Sequence, residues 1–200
     1  MIAAKDNPFR VGRIQAMGYL PQAFSLPQLC EHLEQLDYTA AIVGPHGSGK
    51  TTLLRELEKH VRQSGIQTEM LFISLDVKLS WRVIRNTIDS MPPQGVLFFD
   101  GACHLSFWRF RQLRRRMRKR NIGMVITAHR EGLLNTLTVC RSSPALLEDI
   151  VSHLLDGNTI CSGSYLADLL QTHHGNIRDC LWQLYDEYAG TGNAGVPPAT

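Results

Sequence analysis

The chain has 200 residues, 44% of them apolar, and a formal net charge of +3. That length suits one domain, or one domain with a small appendage, and the apolar share supplies an ordinary core. No apolar run approaches the length of a membrane span, and Met1–Pro8 lacks the apolar stretch of a signal peptide, so the expectation is a cytoplasmic protein with no membrane association.

The five cysteines, Cys30, Cys103, Cys140, Cys161 and Cys180, are odd in number and far apart, with no C-x-x-C pair. The pattern indicates neither a disulfide framework nor a zinc site. Residues 1–20 read as extended or irregular, with Phe9 and Tyr19 as packing residues and a place beside a nucleotide base as the alternative. A helix is predicted from Leu26 to Leu36, with Leu29, Leu33 and Leu36 on one face. The short apolar run Thr39–Val43 then reads as a buried strand.

Directly after it, Gly44-Pro45-His46-Gly47-Ser48-Gly49-Lys50-Thr51 fits G-x-x-x-x-G-K-[ST], the phosphate-binding P-loop. Leu53, Leu54, Leu57 and Val61 follow at helical spacing, so the motif has the strand–loop–helix context it requires. Gly44, Gly47 and Gly49 let successive backbone N–H groups converge on phosphate oxygens, and the helix beginning near Lys50 points its positive end at the same anion. Lys50 would reach the β- and γ-phosphates, and the Thr51 hydroxyl would ligate Mg2+. The cofactor-binding stretch is thus Gly44, Pro45, His46, Gly47, Ser48, Gly49, Lys50, Thr51 and Thr52, with His46 at a variable position and without a side-chain role. The competing reading is a glycine turn that matches by chance.

Ser64-Gly65 stops this helix. Thr68–Leu75 reads as a second buried strand, and a helix capped by Ser80 runs to about Ile88, ended by Pro92-Pro93. Val96-Leu97-Phe98-Phe99-Asp100 is an apolar strand closing on a carboxylate, the form of a Walker B strand, and Asp100 would hold Mg2+ directly or through water. Its plainer reading is an aspartate capping a strand end. The following position, where many ATPases carry a water-polarising glutamate, is Gly101, so binding is better supported than fast hydrolysis. From Leu105 to Arg120 a helix carries Phe110, Leu113 and Met117 in one stripe. Eight basic residues (Arg109, Arg111, Arg114, Arg115, Arg116, Arg118, Lys119, Arg120) cover the rest, with no acid among them. Such a helix suits DNA, an acidic partner or an arginine finger acting on a neighbouring subunit, against the alternative of a solvated face. Ile122–Thr127 is a further strand, with Thr127 and His129 where a γ-phosphate sensor would lie. Leu137–Cys140 is a candidate fifth strand, and Arg141 is another finger candidate. Beyond Ser142 only helices are predicted: Pro144–Leu155, about Ser164–Leu170, and Asn176–Tyr188. They read as a small bundle that needs the α/β core for its burial, followed by a disordered tail from Gly190 to Thr200.

With these motifs in place the chain resembles the AAA+/STAND branch of P-loop ATPases. Gly175-Asn176-Ile177-Arg178 resembles the sensor-2 motif, which makes Arg178 the residue expected to reach nucleotide phosphates. Its alternative is a solvent-facing arginine in the first turn of a helix. Asn7-Pro8-Phe9 and Tyr19-Leu20 resemble the opening of the transposition (TniB-like) and secretion (ExeA-like) AAA ATPases. The resemblance implies a three-layer α/β fold with a parallel sheet of order 5-1-4-3-2. It places an N-terminal segment at 1–37, the ATPase core at 38–142, a C-terminal helical lid at 143–189 and a tail at 190–200. ATP with Mg2+ is the implied ligand, with Lys50, Asp100, Thr127 and Arg178 as the catalytic set. No Leu-Ser-Gly-Gly signature points to a transporter ATPase, and no N-K-x-D motif points to GTP. Three functions follow as expectations: a slow ATPase serving as a regulatory or assembly switch with a protein partner or further copies of itself, a hydrolysis-deficient nucleotide-binding module, and a DNA-linked ATPase of mobile-element type.

Overall fold

The computed structural model describes residues 4–74, 77, 79–158 and 161–191. The strands are β1 (Thr39–Val43), β2 (Thr68–Phe72), β3 (Val96–Asp100), β4 (Gly123–Ala128) and β5 (Thr136–Val139). The helices are α1 (Val11–Met17), α2 (Leu26–Gln35), α3 (Lys50–Gln63), α4 (Trp81–Ser90), α5 (Phe107–Arg120), α6 (Pro144–Leu154), α7 (Gly163–Thr172) and α8 (Ile177–Thr191). The chain divides into two compact units: residues 23–44 with 50–140, and residues up to 22 with 45–49 and those from 141 onward.

The first unit is a three-layer α/β structure. Its five strands are all parallel, in the order β2-β3-β4-β1-β5, which read from the other edge is the expected 5-1-4-3-2. β1, β3 and β4 are nearly continuous apolar runs, as strands covered on both faces require. Alternation divides their side chains. Ala41, Val43, Leu97, Phe99, Met124 and Ile126 meet Ile84 and Ile88 of α4 and Phe110, Leu113 and Met117 of α5. The other face, with Ile42, Phe98 and Val125, receives α3, and α2 packs beside α3 and β5. Phe98 and Phe99 are wholly buried on opposite faces, and each such side chain contributes about 1.5–3 kcal/mol by leaving water. Ser80 caps α4 as expected, accepting from the Val83 N–H at 3.3 Å. β2 ends at Phe72, short of the predicted Leu75, which lies outside the described residues.

The second unit contains α1, α6, α7 and α8. The segment expected to be irregular up to residue 20 includes α1, a helix of seven residues without a side-chain cap. So short a helix has no stability of its own and depends on packing; its Ile14 and Met17 join the apolar cluster of α6, α7 and α8. The bundle thus closes its own core, around Phe9, Leu147, Leu154, Leu166 and Leu184. Phe9 packs edge-on to Tyr188 at 5.9 Å, the packing role expected of it. Asn7 is 1% exposed and ties the N-terminal segment down, donating through Nδ2 to the Tyr185 carbonyl at 2.9 Å and accepting from the Phe9 N–H at 2.9 Å. α8 runs through Gly190 to Thr191, past the expected stop at Tyr188; the remainder of the predicted tail lies outside the described residues. Among the described residues no helix is long and apolar enough to cross a membrane.

Candidate functional site

The glycine loop leaves β1 at its C-terminal end. The Gly44 N–H donates to the Ala128 carbonyl at 3.1 Å, which carries the β1–β4 pairing one residue past the strand. Pro45 and His46 are exposed, Ser48 is 2% exposed with its hydroxyl donating to the Pro45 carbonyl at 2.9 Å, and α3 begins at Lys50, which is 9% exposed. Gly47 has φ +70°, and a Cβ there would lie 1.7 Å from Asn176 Oδ1 and 3.2 Å from Asn176 Cα. No side chain fits at that position without moving the residue that precedes α8. The Tyr19 ring lies 3.9 Å from where a Cβ on Gly49 would be, so Tyr19 packs beside the loop.

Within the α/β unit, Thr51 in the first turn of α3, Asp100 at the end of β3 and Thr127 near the end of β4 form one hydrogen-bonded group. Thr51 Oγ1 donates to Asp100 Oδ2 at 2.7 Å and Thr127 Oγ1 donates to Asp100 Oδ1 at 2.6 Å. The Gly101 N–H donates to Thr127 Oγ1 at 2.9 Å. Asp100 is 7% and Thr127 2% exposed, so the carboxylate is held in one orientation by a donor on each oxygen. The Thr127 proton is committed to Asp100, which makes Thr127 a residue that orients the carboxylate. Thr51 Oγ1 and Asp100 Oδ2 are paired hard oxygen donors on adjoining elements, the chemistry Mg2+ selects.

Gly101 explains why no glutamate follows Asp100. Its φ is +80°, and a Cβ would lie 1.9 Å from the Ile73 carbonyl oxygen. That carbonyl belongs to a residue whose own N–H is bonded to the Asp100 carbonyl at 2.9 Å. The turn after β3 is thus closed to any side chain.

The other residues singled out from the sequence have varied positions. His129 is half-buried after β4, its Nδ1 3.4 Å from the Gly44 carbonyl. Cys103 and His104 lie in a 3-10 turn after Gly101, and burial is the main cause pushing the Cys103 thiol pKa up. Arg178 is exposed in the first turn of α8, and Arg141 is exposed with its backbone N–H donating to Gln22 Oε1 at 2.9 Å. The basic α5 buries Phe110, Leu113 and Met117 as its spacing predicts. Its cations divide into two groups. Arg116 forms a paired contact with Asp89 of α4, which holds that carboxyl below its ordinary pKa, and Arg120 donates to the carbonyls of Asp89 and Met91 at 3.0 and 2.9 Å. Arg109, Arg111, Arg114, Arg115, Arg118 and Lys119 are exposed. So are Phe107 and Trp108 at the start of the helix, at 69% and 71%.

Sequence reasoning passed over Asn176 and Asp89. Asn176 Oδ1 is buried without a hydrogen-bond partner, while its Nδ2 donates to Asp179 Oδ2 at 2.6 Å. The only signal for it was its place in the tetrad quoted for Arg178.

A parallel sheet in which β4 separates the loop-bearing β1 from the aspartate-bearing β3, with helices on both faces, has the P-loop NTPase fold. No family model and no curated protein matches the chain. Among solved structures it is similar to the Thermotoga maritima RuvB Holliday junction branch migration motor, at 17% identity and a TM-score of 0.60 over 86% of this chain and 64% of that one. A point mutant of Thermotoga maritima RuvB aligns at 15% identity and a TM-score of 0.59, over 86% and 66% of the two chains. The chain therefore spans about two thirds of the length of these neighbours, and at such identities the likeness is one of fold.

Proposed function

We propose that this chain is an AAA+-like protein that binds ATP with Mg2+ on the Gly44–Thr52 loop and works as a slow, nucleotide-dependent regulatory or assembly switch. The observation that carries the reading is the Thr51–Asp100–Thr127 group, two hydroxyls oriented on one buried carboxylate, with Thr51 following the glycine loop in the chain. The loop amides and Lys50 would hold phosphate, and Thr51 and Asp100 would hold the metal. The bound metal would neutralise phosphate charge. Thr127 acts through Asp100, fixing the carboxylate and leaving its other oxygen's partner, Thr51, aligned. Arg178 and residues 143–189 are the nucleotide-responsive helical part of this reading, by resemblance to sensor-2 lids.

The closed turn at Gly101 supports low turnover. A catalytic base has to come from elsewhere, a partner included, or the protein acts as a binding module. The test is ATP affinity by calorimetry with Mg2+ present, beside steady-state hydrolysis. Wild-type binding abolished in Lys50→Ala, with the fold intact by circular dichroism, is the expected result; unchanged affinity in that variant overturns the site.

A second reading, a DNA-linked ATPase, is favoured by α5. Six exposed cations and two exposed aromatic side chains share one helix, the combination that neutralises phosphates and stacks on bases. The similar Thermotoga maritima RuvB is a Holliday junction branch migration motor, and the TniB-like resemblance lies in the same direction. Stimulation of hydrolysis by duplex DNA would favour this reading over the first.

A further inference from the structure

We propose that Cys103, His104 and His129 form a site for a thiophilic divalent cation, zinc being the best fit, at the strand ends of the α/β unit. This inference does not rest on nucleotide binding. One ligand atom from each residue, a thiol sulfur and two imidazole nitrogens, lies within 4.8 Å of the other two. Tetrahedral zinc with Zn–S of about 2.3 Å and Zn–N of about 2.0–2.1 Å needs its donors roughly 3.3–3.6 Å apart, a closure within reach of side-chain rotation. One sulfur and two imidazoles select zinc over Mg2+ or Ca2+, which take oxygen.

The surroundings orient these donors. His129 Nδ1 lies 3.4 Å from the Gly44 carbonyl; with Nδ1 protonated toward it, Nε2 is the nitrogen presented to a metal, the arrangement in which a carbonyl fixes a ligand's tautomer. Cys103 is half-buried in the 3-10 turn Ala102–His104, which sets its sulfur beside the two imidazoles. His104 is backed by Gly101, whose would-be Cβ lies 3.3 Å from His104 Cδ2, and its ring stands edge-on to that of His129 at 6.5 Å. On binding, the thiol proton passes to solvent and the sulfur keeps one negative charge to offset the metal. Three protein ligands leave a fourth position for water. Because Cys103 and His104 follow Asp100, and His129 follows Thr127, occupancy would tie together the two turns that carry the oriented carboxylate and its partner.

Cobalt(II) titration of the metal-stripped full chain without nucleotide tests this. The expected result is one equivalent of Co2+ giving tetrahedral ligand-field bands and a thiolate-to-metal charge-transfer band. Zn2+ should displace it stoichiometrically, and Mg2+ in large excess should not. Cys103→Ser should remove the charge-transfer band, and His129→Ala and His104→Gln should each weaken binding at least tenfold. His104 is exposed, so His104→Gln keeps the test valid where another variant fails to fold. A charge-transfer band that persists in Cys103→Ser, displacement by Mg2+, wild-type affinity in His104→Gln, or no tetrahedral spectrum at all overturns the proposal.

Discussion

Replacing Gly101 by alanine should destabilise the protein far more than the same change at Gly65, although both glycines have a left-handed backbone, with φ of +80° and +89°. Forcing an L-residue into that region costs about 1–2 kcal/mol at either site. At Gly65 nothing lies within 4 Å of the new methyl group, so the backbone term stands alone. At Gly101 the methyl meets the Ile73 carbonyl at 1.9 Å, and that carbonyl cannot retreat without straining the Ile73 N–H bond to Asp100. Overpacking of this kind costs about 1–3 kcal/mol, and a lost backbone hydrogen bond adds about 1 kcal/mol. The sum is on the order of 4 kcal/mol. For a chain of this size it lowers Tm by roughly 8–16 °C, against roughly 2–8 °C for Gly65→Ala. Thermal melts of the two variants beside wild type measure the difference. Equal melting points would refute the clash. A stable Gly101→Glu protein with raised ATP turnover would refute the stronger claim, that the turn excludes the catalytic acid; the sequence alone makes that substitution look like a simple restoration.

Gly47→Ala should abolish ATP binding and lower stability, and Asn176→Ala should recover part of the stability by removing the amide that the new methyl meets; a double-mutant cycle on Tm that shows no coupling would separate the two positions. In the helical unit, Tyr165 Oη donates to Glu187 at 2.6 and 2.8 Å, and burial first, then Glu187, push its pKa above the ordinary 10. A raised folded-state pKa contributes stability that is full below pH 10 and is lost as pH rises through the folded value, so Tyr165→Phe should cost about 1–2 kcal/mol at pH 7 and progressively less in alkali, as urea titrations at several pH values would show. For α5, Arg111→Ala, Arg114→Ala and Arg118→Ala together should weaken duplex DNA binding and lower the slope of log affinity against log salt by about one for each phosphate no longer neutralised. Arg116→Ala should instead lower Tm slightly, since its partner is Asp89. Equal DNA effects from both would refute the division of the helix.

The sheet was legible because its signals are local. Val96–Phe99 and Thr39–Val43 are apolar runs of strand length, the glycine loop sits between a strand and a helix, and the Phe110, Leu113 and Met117 stripe has helical spacing. α1 was not legible, because VGRIQAM carries no cap and its helicity depends on Ile14 and Met17 meeting residues far along the chain. The reach of α8 past Tyr188 escaped for a related reason: Gly190 reads as a helix stop, yet the helix passes through it to Thr191.

At the site, the same distinction separates residue identity from residue role. Asp100 and Thr127 could each be named from a strand end, but that Thr127 spends its proton on Asp100 depends on β3 and β4 lying side by side in register, which pairing alone decides. The density of positive charge on α5 was plain, yet which arginines are structural required Asp89, a residue on another helix. Gly101 is the clearest case. In the sequence it is a missing glutamate, an absence with two explanations, relaxed selection on a side chain or a backbone that admits none. The φ of +80° and the Ile73 carbonyl decide for the second. The turn that denies a carboxylate also donates the Gly101 N–H to Thr127 and presents Cys103 and His104 to His129. A side chain at position 101 would meet the Ile73 carbonyl before it reached solvent, so in this chain the backbone that follows Asp100 is shaped to orient that carboxylate and leaves no room for an acid directly after it.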